Sequence, residues 1–211
     1  MTVAEAINLF FDQTSPPAAY RLSLALVETY FKGSMDDLDP ASLRCFLSRW
    51  FIESQAESPS PEELIRALKV FLEWAEKGAG YKFASEQKAL LDEMRVALPR
   101  AMEIFSRLSS HLARQGGAFG FAEFLTSFEE GGQSRYEMGA MEGYFRIVKI
   151  DGCRVEAEES VTETRVCPII FPREVARLLE PGMIINLEIV RLNEGWQITA
   201  CGFAYPPGVE I

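Results

Sequence analysis

The chain has 211 residues, of which 48% are hydrophobic, 25% charged and 11% aromatic. This composition is typical of a folded soluble protein and excludes disordered, collagenous and disulfide-scaffold chains. The 21 Lys and Arg residues against 31 Asp and Glu give a formal net charge of -10, so the chain as a whole repels nucleic-acid phosphates and anionic lipid.

Four helix start signals precede four helical hydrophobic patterns in residues 1–80. Each signal is a capping pair, a proline at the first helical position, or both: Thr2 with Glu5, Ser15-Pro16, Asp39-Pro40, and Ser60-Pro61 with Glu63. The apolar residues that follow each signal recur with the spacing of a helix face. Because capping and periodicity agree, the sequence predicts an all-α segment.

A fifth helix is predicted from Ser85, and Pro99 is expected to kink or end it. A sixth helix continues to the glycines at 116–117, and the phenylalanines of 121–128 predict one further helical turn. The glycine-rich stretch that begins at Gly131 is the predicted linker. These signals place an all-α domain at residues 1–130 and a linker at 131–140.

After the linker the hydrophobic period changes to two, which is typical of strands. The predicted hairpin turns at Asp151-Gly152, and a third strand leads to a short helix at Pro172 and a second hairpin. The order strand, strand, strand, helix, strand, strand over residues 141–211 is that of an OB-like small β-barrel. Other small barrels with a helical insertion fit almost as well. The predicted fold class is therefore α+β, an N-terminal all-α domain followed by a small OB-like β-barrel.

The residues from Ser15 to Gly80 carry a tyrosine at the start of the second helix, an acidic loop before the third, and the helix Leu68 to Ala75. In this order they resemble the SAM-like core-binding domain of tyrosine recombinases and phage integrases. The resemblance covers about a third of the chain, and it implies a helical domain that clamps DNA. The catalytic domain of that family is not matched. His111 and Arg114 have the spacing of its His-x-x-Arg motif, but they lie late in a helix before the linker.

The candidate binding residues lie mainly on the predicted barrel strands. Aromatic and basic side chains alternate there, and this pattern can bind single-stranded nucleic acid by stacking and charge. The residues are Tyr144, Arg146, Lys149, Arg154, Arg165, Arg191 and Trp196. The alternative is an ordinary barrel with arginines at its rim, because glutamates are intermingled with them. Trp74, opposite the main apolar stripe of its helix, is a second candidate because an exposed tryptophan can anchor a partner.

No catalytic residue, metal site or cofactor is predicted. Cys45, Cys153, Cys167 and Cys201 are far apart and His111 is the single histidine, so metal-ligand spacing is not met. We expect these cysteines to be reduced and mostly buried. The acidic clusters at 36–39 and 156–159 are explained by helix capping and by the solvent side of a strand. An enzyme that uses those carboxylates is the remaining alternative.

The sequence therefore favours a non-catalytic binding or adaptor protein whose partner is a protein. The alternative is a nucleic-acid-binding protein related to recombinase core-binding domains, with the barrel contacting single strands. Residues 1–135 hold 14 basic and 19 acidic residues, and residues 136–211 hold 7 and 12, so neither part is a basic module. The sequence shows no targeting signal and no apolar run approaching the roughly 20 residues of a membrane span, so we expect a cytoplasmic protein with no membrane partner.

Overall fold

The computed structural model describes residues 1–54, 59–78, 80–114, 139–192 and 194–210. The chain divides into two compact units, Met1–Pro99 and Arg100–Ile211. The predicted helix end at 116–117, the predicted helical turn at 121–128 and positions 131–138 of the predicted linker lie outside the described residues. The domain boundaries at 130 and 141 therefore stay predictions.

The first unit is built from helices, in the order the sequence predicts. The helices are α1 (Val3–Gln13), α2 (Ala18–Tyr30), α3 (Pro40–Cys45), α4 (Phe51–Glu53), α5 (Pro61–Gly78) and the part of α6 (Ser85–Arg114) up to Pro99. A 3-10 turn at Met35–Asp37 precedes α3, and a π-helical turn at Phe46–Trp50 joins α3 to α4. The predicted apolar stripe of α5 is confirmed, because its residues from Leu64 to Ala75 on that face are at most 3% exposed.

Capping confirms three of the four predicted helix starts. The Asp39 carboxylate accepts hydrogen bonds from the backbone of Ala41 at 2.8 Å and Ser42 at 3.1 Å, and Thr2 and Ser60 form capping boxes with the glutamates three residues later. The predicted start of α2 at Pro16 is wrong by two residues, because α2 begins at Ala18. Helical backbone is disfavoured at a residue that precedes proline, so Pro17 disfavours a helix start at Pro16.

Helix α6 continues through Pro99 to Arg114, so the predicted fifth and sixth helices are one helix that does not end at this proline. Proline has no N–H to donate to the carbonyl four residues earlier, and this weakens the helix at that point. The flanking Leu98 and Ala101 are fully buried, and their burial favours a continued helix over a break. The division between the two compact units falls at the same proline.

The second unit contains a five-stranded sheet, and its element order is the predicted one. The strands are β1 (Ala140–Asp151), β2 (Arg154–Glu159), β3 (Arg165–Ile170), β4 (Ile184–Leu192) and β5 (Gly195–Tyr205), with the short helix α7 (Arg173–Ala176) between β3 and β4. The spatial order is β1-β2-β3-β5-β4, and the pairing of β1 with β4 closes the sheet. The β3–β5 contact is the parallel one and is short.

The first hairpin turns one residue later than predicted. Asp151 pairs with Arg154, so the turn residues are Gly152 and Cys153. Gly152 has a φ of 59°, which a glycine adopts without strain, and it takes the turn position at which the favoured hairpin turns need a positive φ. The predicted alternation is confirmed for Val155 and Ala157, which are fully buried, and for Arg154, which is exposed. The prediction that Glu159 lies on the solvent side is wrong, because the same alternation turns it inward and it is buried.

Residues 100–114 of α6 pack on the sheet within the second unit. Ile104 and Leu108 are buried there, and the rings of Phe105 and Phe203 lie 5.3 Å apart. With helices in the N-terminal half and a five-stranded sheet in the C-terminal part, the structure agrees with the predicted α+β class. Within the ranges that the structure describes, no helix is both long and apolar enough to cross a membrane.

Candidate binding site

A groove of about 560 Å³ opens on the helical unit. Its walls come from the end of α1, the segment that joins α1 to α2, and the outer side of α5. We use the name Trp74 groove for the site formed by Pro16, Pro17, Tyr20, Val70, Glu73 and Trp74. The volume lies within the range of about 300–1,000 Å³ that is usual for ligand pockets.

Packing against two phenylalanines holds Trp74 in place. The ring of Phe71 stacks on it, with centroids 6.0 Å apart and planes inclined by 21°. The ring of Phe10 meets it edge to face, with centroids 5.4 Å apart. Both phenylalanines are buried, whereas Trp74 is half-buried and lines the groove. The indole is therefore preorganised, with little side-chain entropy left to lose when a ligand covers it.

The opposite wall depends on how α1 ends. The Thr14 hydroxyl donates to the Phe10 carbonyl at 2.6 Å, and the Thr14 N–H donates to the same carbonyl at 3.0 Å. The chain then turns through Pro16 and Pro17 before α2 begins. Because both prolines precede the helix, their rings form a rigid apolar wall beside Tyr20.

Two charged residues line the groove, and both are on α5. Glu73 is half-buried next to Trp74, and Lys77 is exposed one helical turn later. Among the described residues no ion pair within 4.0 Å involves either side chain. The groove thus combines an apolar aromatic wall with a carboxylate at its edge.

The structure places the basic residues predicted as a binding surface on four strands of the sheet. Arg146 and Lys149 are on β1, and Arg154, Arg165 and Arg191 are on β2, β3 and β4, all of them exposed. A surface that binds a phosphate backbone needs several basic groups without competing acids. Whether this surface can bind a phosphate backbone therefore depends on the charges of the neighbouring residues.

Glutamates of β2 lie opposite the basic residues of both neighbouring strands. In the β1–β2 register Arg146 faces Glu158 and Lys149 faces Glu156. On the other side Arg165 lies 3.3 Å from Glu156 and 3.5 Å from Glu158. Such exposed pairs contribute little to stability, but they cancel the local positive potential.

The two predicted aromatic residues of the sheet do not meet. Tyr144 pairs with Asn186 and Trp196 with Arg191, and these partners are five residues apart along β4. At a strand rise of about 3.4 Å per residue the separation is about 17 Å. The Arg191 guanidinium lies 5.9 Å from the Trp196 ring, and the Tyr144 ring lies 6.2 Å from that of Tyr205. Tyr144 and Trp196 therefore lie at separate positions and do not form one continuous stacking platform.

The cysteines are free, as expected, but the prediction that they are mostly buried is wrong. Cys45 and Cys167 are exposed, and Cys153 and Cys201 are intermediate. Cys45 and Cys167 point outward from their helix and strand, and an apolar sequence neighbourhood does not reveal this. His111 is in the last turn of α6, as predicted, with Nδ1 3.4 Å from a carboxylate oxygen of Glu174. In the described parts of the chain, no group of three or more His, Cys, Asp or Glu residues is placed to hold a metal ion.

Sequence reasoning identified Trp74 but missed the rest of the groove. Residues 14–20 and 70–78 meet only through tertiary packing, so no local pattern joins them. The adjacent prolines before Tyr20 were an available signal, because two prolines in succession leave a rigid apolar segment outside the helix. Comparisons with protein-family models, with curated proteins and with solved structures find no match for this chain.

Proposed function

We propose that the protein is a non-catalytic binding protein whose helical unit docks a segment of a protein partner in the Trp74 groove. The observation that carries the proposal is a half-buried tryptophan, held by Phe10 and Phe71, in an open groove of about 560 Å³. Tryptophan and tyrosine are enriched among the residues that dominate binding energy at protein interfaces. An open groove with rigid walls suits the side chains of an extended or helical segment.

The charges of the sheet favour a protein over a nucleic acid as the partner. The basic residues of β1 and β3 face Glu156 and Glu158, so a phosphate backbone would meet both signs of charge. Nucleic-acid binding also gains most of its affinity from uncompensated Lys and Arg. We therefore place the proposed binding activity on the helical unit.

We also propose finer fold relationships for the two units. The strand order β1-β2-β3-β5-β4, with α7 between β3 and β4, supports an OB-like fold for the sheet unit. The succession of α1, α2, α3 with α4, and α5 supports a relationship of the helical unit to recombinase core-binding domains. We carry no DNA-clamping function over with that relationship.

The proposal can be tested by filling the groove with a charge. Val70 lines the groove and is 38% exposed, so Val70→Lys should block docking without disturbing the core. A phage-displayed dodecapeptide library is selected on the unaltered protein, and the enriched peptides are synthesised. We expect Val70→Lys to weaken their binding at least about tenfold, the effect expected when an apolar contact at the centre of an interface is lost.

Val96→Lys is the matched control, because Val96 is an exposed valine of α6 that does not line the groove. It should leave the affinity unchanged. If selection enriches no peptide, or if both variants bind equally, docking in this groove is wrong. Turnover of a substrate in a hydrolase and transferase panel, abolished by one polar substitution, would contradict the non-catalytic part of the proposal.

A further inference from the structure

The charges around the Trp74 groove favour one kind of side chain, and this inference rests on the proposed docking of a partner segment. Glu73 is half-buried at the edge of the groove, and no ion pair to it is found among the described residues. A carboxylate at such a position can accept a cationic ligand group as its counter-charge, so that covering the groove leaves neither charge unpaired.

The aromatic wall next to Glu73 favours the same sign of charge. Aromatic rings carry a negative face, and tryptophan attracts cations most strongly. Trp74 and Tyr20 both line the groove within reach of a side chain that enters it. The planar guanidinium of arginine can stack on an indole and donate paired hydrogen bonds to a carboxylate, whereas an ammonium group presents a compact point charge.

Helix ends add to this preference. Thr14 directly follows α1 and Gly78 ends α5, and both residues line the groove. The C-terminal end of a helix carries a partial negative charge that attracts cations. The start of α2 also lies at this groove and carries a partial positive charge. Two partial negative charges are therefore opposed by one partial positive charge.

The opposing charges nearby do not reverse the balance. Lys77 also lines the groove, but it is exposed and can turn into solvent. Residues 1–99 hold 10 Lys and Arg against 15 Asp and Glu, so the helical unit attracts basic segments as a whole.

We infer that the partner segment is basic and inserts an arginine side chain into the Trp74 groove, with its guanidinium between the indole of Trp74 and the carboxylate of Glu73. The aliphatic part of the arginine would then lie along Val70 and the rings of Pro16 and Pro17. In this arrangement the groove prefers arginine to neutral or acidic side chains and also provides an apolar contact.

The test uses three tripeptide probes and one reporter signal. The probes are N-acetyl-Leu-Arg-Leu-amide and its counterparts with glutamine or glutamate at the centre. The indole N–H of Trp74 is followed by NMR and is assigned among the three tryptophans of the chain with a Trp74→Phe variant. We expect the arginine probe to bind about threefold to fivefold more tightly than the glutamine probe, the scale of one partly exposed ion pair with a stacking contribution.

Two variants separate charge from packing. Glu73→Gln should remove the preference for arginine and leave the glutamine probe unchanged. Lys77→Gln, a matched loss of one charge on the same helix, should strengthen the arginine probe about twofold, as expected for removal of one exposed like charge. Unchanged thermal unfolding of both variants establishes that neither affects the fold.

The outcomes distinguish this inference from the proposed function. Equal binding of the arginine and glutamine probes, or tightest binding of the glutamate probe, overturns the inference while docking in the groove stands. If phage-selected peptides bind in a Val70-dependent manner but lack basic residues, the inference is likewise wrong. If no selected peptide depends on Val70, the proposed function itself fails.

Discussion

Gly143 on β1 lies against the carboxylate of Glu159, a glutamate that is only 5% exposed. That carboxylate accepts hydrogen bonds from the backbone N–H groups of Val161 and Thr162 and from the Thr162 hydroxyl. Burial by itself would raise the pKa of Glu159, but the hydrogen bonds from Thr162 and Val161 outweigh burial and lower it. The ionised side chain thus orders the loop between β2 and β3, and it occupies the space that a side chain at 143 would need.

The first prediction at this scale is that Gly143→Ala destabilises the protein. A Cβ at position 143 would lie 2.8 Å from Oε1 and 3.1 Å from Cγ of Glu159, so the carboxylate must shift and strain its hydrogen bonds. We expect a loss of about 1–2 kcal/mol in the free energy of unfolding, measured by urea denaturation. Gly139→Ala is the control, because no atom of the described residues lies within 4 Å of a Cβ there. Equal stability of the two variants would refute this account of Gly143.

At the scale of elements, β2 determines what the outer face of the sheet can bind. Its residues alternate inward and outward, and the outward Glu156 and Glu158 face basic residues of β1 and contact Arg165 of β3. One glutamate therefore balances more than one cation, because β2 lies between β1 and β3 and both of these strands carry basic residues. The alternation predicts which residues point outward, but only the register tells which charges meet.

A prediction for the sheet follows from this arrangement. The unaltered protein should not bind a short single-stranded oligonucleotide at about 50 mM salt, where phosphate contacts are strong. Glu156→Gln combined with Glu158→Gln should create weak binding that falls as salt is added, because Arg146, Lys149 and Arg165 then lose their counter-charges. Fluorescence anisotropy of a labelled oligonucleotide measures the binding of the unaltered protein and of the double variant.

The same change in net charge elsewhere provides the control for that experiment. Asp12→Asn with Glu62→Gln removes two exposed carboxylates from the helical unit and should not create binding. If this control gains as much affinity as the β2 double variant, overall charge and not local compensation governs the interaction. Salt-dependent binding by the unaltered protein would restore the nucleic-acid hypothesis for the sheet.

Across the whole molecule, features that depend on neighbouring residues were predictable and features that depend on tertiary contacts were not. Asp39 before Pro40 predicts the start of α3 because a cap acts within one helical turn. The strand order needed the contacts between β1 and β4, and the Trp74 groove joins segments that are at least 50 residues apart. The missed start of α2 is an intermediate case, since the effect of Pro17 on Pro16 is local and could have been applied.

Carboxylates with lowered pKa values in both units predict how the whole molecule responds to acid. Hydrogen bonds from the Ser42 hydroxyl and backbone lower the pKa of Asp39 in the helical unit, and those from Thr162 and Val161 lower that of Glu159 in the sheet unit. A carboxylate whose pKa is lower in the folded state contributes stability that is present above the unfolded pKa of about 4 and is lost as pH falls through the folded value. The melting temperature should therefore change little between about pH 7 and 5 and should decrease when the pH is lower than about 4.

The double variant Asp39→Asn with Glu159→Gln should be less stable at neutral pH, and its melting temperature should depend less on acid. Far-UV circular dichroism measures the melting temperature at each pH. A double variant that loses stability in acid as steeply as the unaltered protein would show that other carboxylates govern its acid unfolding.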